Sequence, residues 1–255
     1  MFRRIVDAFT SLRFRTWMKI VILQSNYLPW KGYFDLMHDA DVFVFFDETQ
    51  YPRRSLRNRN KVYGKNGIHW LTVPVSSVAS RGKISEVAVS SDKWQVDHLK
   101  TLTSVYGRAP YFSQLRVLMS EFYEERAWGK LVEINHFSLL RIAKELRLQT
   151  RFVHSSELRM VGNRVTRLID MVKELGGSQY ITGPSARNYL EGSEHLFRSE
   201  GIELSYKDYS GYPEYPQLQA PFEHQVSIVD MIANLNWKDI PYHIWGWREE
   251  TRSGS

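Results

Sequence analysis

The chain has 255 residues, of which 43% are hydrophobic and 24% charged, with no cysteine and a formal net charge of +6 at pH 7. The length allows one large domain or two small ones; the missing cysteine excludes disulfides and thiolate metal sites and fits a reducing cytoplasm, and no apolar run reaches the 18 residues of a transmembrane helix. The positive balance points to anionic partners: nucleotides, phosphorylated sugars, acidic lipid or nucleic acid. Nucleic acid is the lesser reading, because residues 1–17, with four arginines and one acid, supply half of that charge.

Residues 1–17 place Ile5, Val6, Phe9, Leu12 and Phe14 at roughly helical spacing, lack the apolar core of a secretory signal, and precede a second methionine, Met18. They read as an N-terminal extension. Residues 19–23 form an apolar strand, a loop follows, and Phe34, Leu36 and Met37 suggest a helix before a second strand at 42–46 that ends at Asp47. Such a β-α-β unit makes a parallel sheet, and ligands of open parallel sheets bind outside the carboxyl ends of the strands. The loops at 24–32 and 47–60 are therefore expected to face each other across a site.

Further along, residues 70–75 read as a strand, and 84–89 as an edge or hairpin partner after Arg81-Gly82-Lys83. From 92 to about 146 the period is helical. A strand at 151–154, a helix at 165–175 ending at Gly176-Gly177, a strand at 180–183, a short helix at 186–197 and a strand at 202–206 follow. The Pro- and aromatic-rich stretch 209–222 forms a lid or a structural Ω-loop. Ser227 is placed to cap a buried helix, in which Asp230 caps or pairs internally. The expected class is α/β: a Rossmann-like, mostly parallel sheet in a domain at 18–240 with a helical insertion, and a tail at 241–255.

The run Gln24-Ser-Asn-Tyr-Leu-Pro-Trp-Lys-Gly-Tyr-Phe, the run from Ala40 to Tyr51, Asn58-Arg-Asn-Lys and Trp70-Leu-Thr-Val-Pro-Val resemble, in order and spacing, the WbqC-like family. His98, Tyr106-Gly-Arg-Ala-Pro-Tyr, Tyr180-Ile-Thr-Gly, Tyr215-Pro-Gln and Ser227-Ile-Val-Asp extend the resemblance over about residues 18–235. It implies surface-polysaccharide biosynthesis, since the family is associated with bacterial O-antigen and other lipopolysaccharide loci. The sequence departs from the family pattern at Ser25, usually Pro, at Leu56, usually Trp, and after Asn234, where the usual Gly is missing. More loosely, Pro29-Trp-Lys-Gly-Tyr resembles the His-x-Gly-His loop of the HIGH-motif nucleotidyltransferases and pantothenate synthetases, and Ser185-Ala-Arg-Asn-Tyr-Leu a later segment of those synthetases. That likeness implies a nucleotide held at the first helix's N-terminus, although Trp30 and Tyr33 replace both histidines.

The two loops hold the candidate site. Lys31, Arg53, Arg54, Arg57 and Arg59 form a diphosphate clamp or a solvated basic face. Asp47 is a general base, a metal ligand or an ion-pair partner of Arg59. Gln24, Gln50, Asn58 and Asn60 suit sugar hydroxyls or a base edge, or else satisfy loop backbone. Tyr27, Trp30 and Tyr33, around Gly32, stack on a sugar or base, or pack. His98 reaches the site from its helix, where it or Asp47 is expected to take the proton from the acceptor amine or hydroxyl, or else is a satisfied core residue. No P-loop, Gly-x-Gly-x-x-Gly or Gly-x-Ser-x-Gly occurs. The expected function is a transferase acting on a nucleotide-linked amino or hydroxy sugar, with magnesium accompanying the nucleotide as the one cofactor considered. An ATP-dependent ligase and a non-catalytic partner in glycan assembly are the alternatives.

Overall fold

The computed structural model describes residues 17–77 and 82–248. The expected extension, up to residue 16, lies outside them, as do Arg81 of the expected turn and the tail beyond 248. In chain order the first half of the fold runs β1 (Lys19–Leu23), α1 (Lys31–Asp39), β2 (Val42–Phe45), β3 (Arg59–Gly64), β4 (Gly67–Thr72), α2 (Lys93–Tyr106), α3 (Phe112–Met119) and α4 (Leu131–Glu145). The second half runs β5 (Arg151–His154), α5 (Arg164–Glu174), β6 (Gln179–Thr182), α6 (Arg187–Leu190), α7 (Glu194–Ser199), β7 (Glu203–Tyr206) and α8 (Ile228–Asn234).

Five strands make one sheet in the order β5-β2-β1-β6-β7, every neighbouring pair parallel. Successive strand residues point to opposite faces, so a sheet covered on both sides needs apolar residues at consecutive positions. β1 and β2 supply them. Ile20, Ile22, Val42 and Val44 pack with Leu168, Val172 and Phe197 of α5 and α7, whereas Val21, Phe43 and Phe45 join the core built from α1, α2, α3, α4 and α8. This is the Rossmann-like α/β architecture expected from the strand and helix pattern. The caps follow local chemistry. Asn163 accepts from the N–H groups of Val165 and Thr166 to start α5, Ser227 accepts from Val229 to start α8, and Gly176 takes φ +72 just past the end of α5.

The connection from β2 to β5 carries helices α2 to α4 and an antiparallel hairpin, β3 with β4. The hairpin's first strand reads as a loop by composition, Arg-Asn-Lys-Val-Tyr-Gly, yet it alternates: Asn60, Val62 and Gly64 are buried while Arg59, Lys61 and Tyr63 are not. The stretch expected to pair at 84–89 instead forms a 3-10 turn at Ile84–Glu86 followed by single bridges, Val75 with Val89 and Ala88 with Lys130.

Candidate active site

β1 sits at the centre of the sheet; the chain moves from it toward β5 on one side and returns to build β6 and β7 on the other. The loops leaving β1 and β6 therefore diverge, which opens a crevice at their carboxyl ends. A cleft of about 1650 Å³ occupies this position. One wall is the loop after β1 with the start of α1, bringing Gln24, Asn26, Trp30 and Tyr33. A second is the loop after β2, bringing Thr49, Gln50, Leu56 and Arg57. The third was not placed at the site from the sequence: Thr182 at the end of β6, Gly183 to Ala186, Asn188 and Tyr189 after it, and Arg164 and Arg167 from α5. Tyr209, Tyr212 and His224 of the later loop close the cleft; among the described residues its lining holds three arginines, one histidine, four tyrosines and no carboxylate.

Arg57 donates to Gln24 Oε1, while its Nε is buried without a hydrogen-bond partner among the described residues. Burial pulls its pKa below the ordinary arginine value, opposed by Tyr33 and Asp47, but a guanidinium stays charged at any physiological pH. Asn26 Oδ1, also at the cleft, is likewise buried and unpartnered. Gln24 is fixed from its other end, with Nε2 2.5 Å from Thr49 Oγ1. The Tyr33 hydroxyl donates to the Gln24 carbonyl at 3.0 Å. The Arg164 guanidinium stacks 3.5 Å over the Tyr189 ring, and Arg167 Nε donates to the Gly162 carbonyl at 2.9 Å. His224 is held below the ordinary histidine pKa by partial burial and then by Lys31. It is therefore a neutral imidazole, able to accept a proton, at pH 7.

Of the loop residues singled out by sequence, Gln24, Trp30, Tyr33, Gln50 and Arg57 line the cleft. Gly32 acts under it. The Trp30 indole folds over the first turn of α1, and a β-carbon at residue 32 would lie 2.3 Å from the ring. The others lie elsewhere. Asn58 Nδ2 donates to the Val73 carbonyl, and Asn60 Nδ2 to the carbonyls of Tyr27 and Leu28, where Leu28 holds φ +39. Arg54 is an exposed turn residue at φ +52, Arg53 donates to the Ser77 carbonyl, and Arg59 stacks on Trp70 outside the cleft. The Tyr27 hydroxyl is buried 2.8 Å from His98 Nδ1 and 2.6 Å from the Tyr123 hydroxyl. Burial pushes the His98 imidazole down to about 4, so it is a neutral member of the helical core, away from the cleft.

Asp47 makes no ion pair with Arg59. Its Oδ1 accepts from the Ser25 N–H at 2.9 Å and its Oδ2 lies 2.7 Å from His136 Nε2, which ties the loops after β1 and β2 to α4. The first of these bonds needs residue 25 not to be proline, which has no N–H to donate. Leu56, a second departure from the family pattern, is 39% exposed on the cleft wall and so alters its shape. Among the described residues magnesium does not suit this lining, since it takes hard oxygen donors and none of their carboxylates faces the cleft, and no group of three or more of their His, Cys, Asp or Glu is arranged to hold a metal ion.

Lys31 is only 2% exposed, with Nζ 3.5 Å from the Pro213 carbonyl and 4.7 Å from the Tyr212 ring centre, beside Tyr215 and Phe222. It holds the loop 209–222 against α1 rather than lining the cleft. Burial lowers its pKa from 10.5 to about 8, with Asp35 and Glu214 opposing. Between these two values the unfolded chain keeps the proton and the folded chain has lost it, so stability gains from Lys31 as pH rises through that window. Melting temperatures of the wild type and Lys31→Met are therefore expected to diverge between pH 8 and 10, the wild type rising relative to the variant. Curves that run parallel would show a lysine with an ordinary pKa.

The family model described as the WbqC-like protein family matches residues 24–242, which takes in the cleft loops, the hairpin, all three long helices and α8. The chain belongs to the WbqC-like family. The chain is also similar to an uncharacterized protein of Mycobacterium tuberculosis, 35% identical over 219 residues, which cover 85% of this chain and 94% of the relative. No solved structure matches the chain. In this WbqC-like protein the cleft lining falls within the matched span apart from Ile22 and Leu23 of β1.

Proposed function

We propose that this WbqC-like protein is a transferase of surface-polysaccharide biosynthesis that holds a nucleotide-linked amino or hydroxy sugar in the cleft. The observation that carries the reading is the lining: three arginines and several aromatic rings around a large cleft with no carboxylate among the described residues. Arginine forks bind phosphate oxygens bidentately, and aromatic faces suit a sugar ring or a base. The volume exceeds that of ordinary small-molecule sites, leaving space for an acceptor beside the donor. Arg57, Arg164 and Arg167 hold the diphosphate, and Trp30, Tyr209 and Tyr212 order the sugar. His224, rather than the buried Asp47 or His98, takes the proton from the acceptor amine or hydroxyl, because it is the one side chain in the lining that is a base at neutral pH.

The ATP-dependent ligase keeps one specific observation in its favour: the segment Ser185 to Asn188, singled out by its likeness to the pantothenate synthetases, lines the cleft opposite Trp30's loop. A thermal-shift screen separates the two. A ligand that binds only the folded chain, present at about a hundred times its Kd, raises the melting temperature of a protein this size by roughly 5–10 °C. The expected result is such a rise with one class among UDP-, GDP-, CMP- and TDP-sugars. A rise with ATP alone, followed by pyrophosphate release on adding acceptor, would replace the transferase with the ligase, and no response to any of them would leave the non-catalytic partner.

A further inference from the structure

From residue 49 to residue 85 the sequence contains eight lysines and arginines and no acid. The segment thus carries +8 of a chain whose net charge is +6, so the remaining residues together carry −2. The β3–β4 hairpin lies inside this segment. Its register pairs Arg59 with Thr72, Lys61 with Trp70 and Tyr63 with Ile68, which sets these six side chains on one face, while Val62 and Leu71 on the other face enter the core. Trp70 is 45% and Ile68 39% exposed. The Arg59 guanidinium lies 3.6 Å over the Trp70 ring and Lys61 Nζ 6.0 Å from it. At the turn, Lys65 borders a groove of about 360 Å³ shared with His69 and Lys100, again without an acid.

We infer that this hairpin face docks on an anionic lipid surface. An exposed Trp and Ile among cations is what a surface needs to enter the headgroup region: the cations are drawn to lipid phosphate, the indole lodges at the polar boundary, and the aliphatic chain reaches the acyl edge. A nucleic acid would use the cations and one face of the indole, but it gives Ile68 nothing to contact, since bases stack on aromatic faces. The charge is complementary to phospholipid and the apolar residues are complementary to its interior, so lipid accounts for the cations, Trp70 and Ile68 together. The inference is independent of what the cleft binds.

The test is co-sedimentation of the full chain with phosphatidylcholine vesicles with and without phosphatidylglycerol. Binding is expected only with phosphatidylglycerol and is expected to weaken as salt rises. Lys61→Gln with Lys65→Gln should lower the partition coefficient by roughly thirtyfold, from about one charge contact each. Trp70→Ala with Ile68→Ser should lower it at unchanged net charge. Arg151→Gln with Arg198→Gln removes the same charge from exposed positions outside the hairpin and should leave binding as it was. Equal losses in both charge variants, unchanged binding in the hairpin variants, no binding to either vesicle, or tighter binding to an oligonucleotide than to phosphatidylglycerol would each overturn the assignment. Unchanged melting temperatures of the variants separate lost docking from lost folding.

Discussion

Arg57→Ala is expected to weaken binding of the anionic ligand by about tenfold to a hundredfold, the range for one charge-assisted hydrogen-bonding group worth about 1.5–3 kcal/mol. The reasons are geometric. Arg57 lines the cleft, its head is aimed by Gln24 Oε1, and its buried Nε–H has no partner among the described residues. A ligand phosphate would supply that partner. Arg57→Lys should recover part of the loss, since it restores the charge but not the fork. Arg59→Ala, two residues on, should leave affinity unchanged because its guanidinium is stacked on Trp70 and does not line the cleft. Calorimetric titration of the three variants with the ligand found by thermal shift decides it: equal losses at 57 and 59 would mean that the phosphate lies on the hairpin side, and no loss at 57 would remove the clamp.

That contrast between neighbouring arginines explains how far the sequence could be read. The β-α-β start was legible because apolar runs at 20–22 and 42–46 have strand length and no polar interruption, and because the crevice of a parallel sheet has a fixed place. Two walls of the cleft followed from it. The third wall comes from the loop after β6, more than 150 residues away, and only the strand order brings it beside β1. Its one local signal was the likeness of Ser185 to Leu190 to a nucleotide-using family. Within a loop, composition also fails to separate a side chain that meets ligand from one that serves the backbone. Asn58 and Asn60 look like Gln24, yet their amides hold the carbonyls of Val73, Tyr27 and Leu28.

Charged and polar contacts across long separations were the least legible of all. Asp47 meets His136 from 89 residues away, and the Tyr27 hydroxyl meets His98 and Tyr123 from 71 and 96 residues away. Neither pairing leaves a spacing signal, because α2 and α4 are positioned by their apolar faces and the polar contact follows from that packing. Asp230 was legible as an internally paired group, since a carboxylate flanked by Val229 and Met231 in a buried helix must find donors. It accepts from the hydroxyls of Tyr106 and Tyr215 at 2.9 and 2.8 Å, and so fixes the loop 209–222 as a wall of the site.

The same loop has a second anchor, and its removal is expected to be the most destabilising single change. Asp35 on α1 is fully buried, with Oδ1 2.7 Å from Lys207 Nζ and Oδ2 2.8 Å from an Arg248 nitrogen and 2.5 Å from the Tyr212 hydroxyl. Asp35→Ala leaves Lys207, itself nearly buried, with only Asp39, and leaves Arg248 and Tyr212 without this acceptor. Removing one member of such a buried network costs about 3–5 kcal/mol, or roughly 10 °C in melting temperature for a chain of this length. Asp35→Asn keeps an acceptor for Tyr212 and should cost less, and Tyr212→Phe, which loses one hydrogen bond and keeps its ring over Lys31, should cost about 1 kcal/mol. Because Tyr212 lines the cleft, Asp35→Ala should also weaken ligand binding at temperatures where the variant is still folded. Denaturant unfolding gives the stabilities and titration the affinities. A loss below about 1 kcal/mol for Asp35→Ala would mean that α1 and the loop are held by their apolar contacts, and that the carboxylate merely accompanies them.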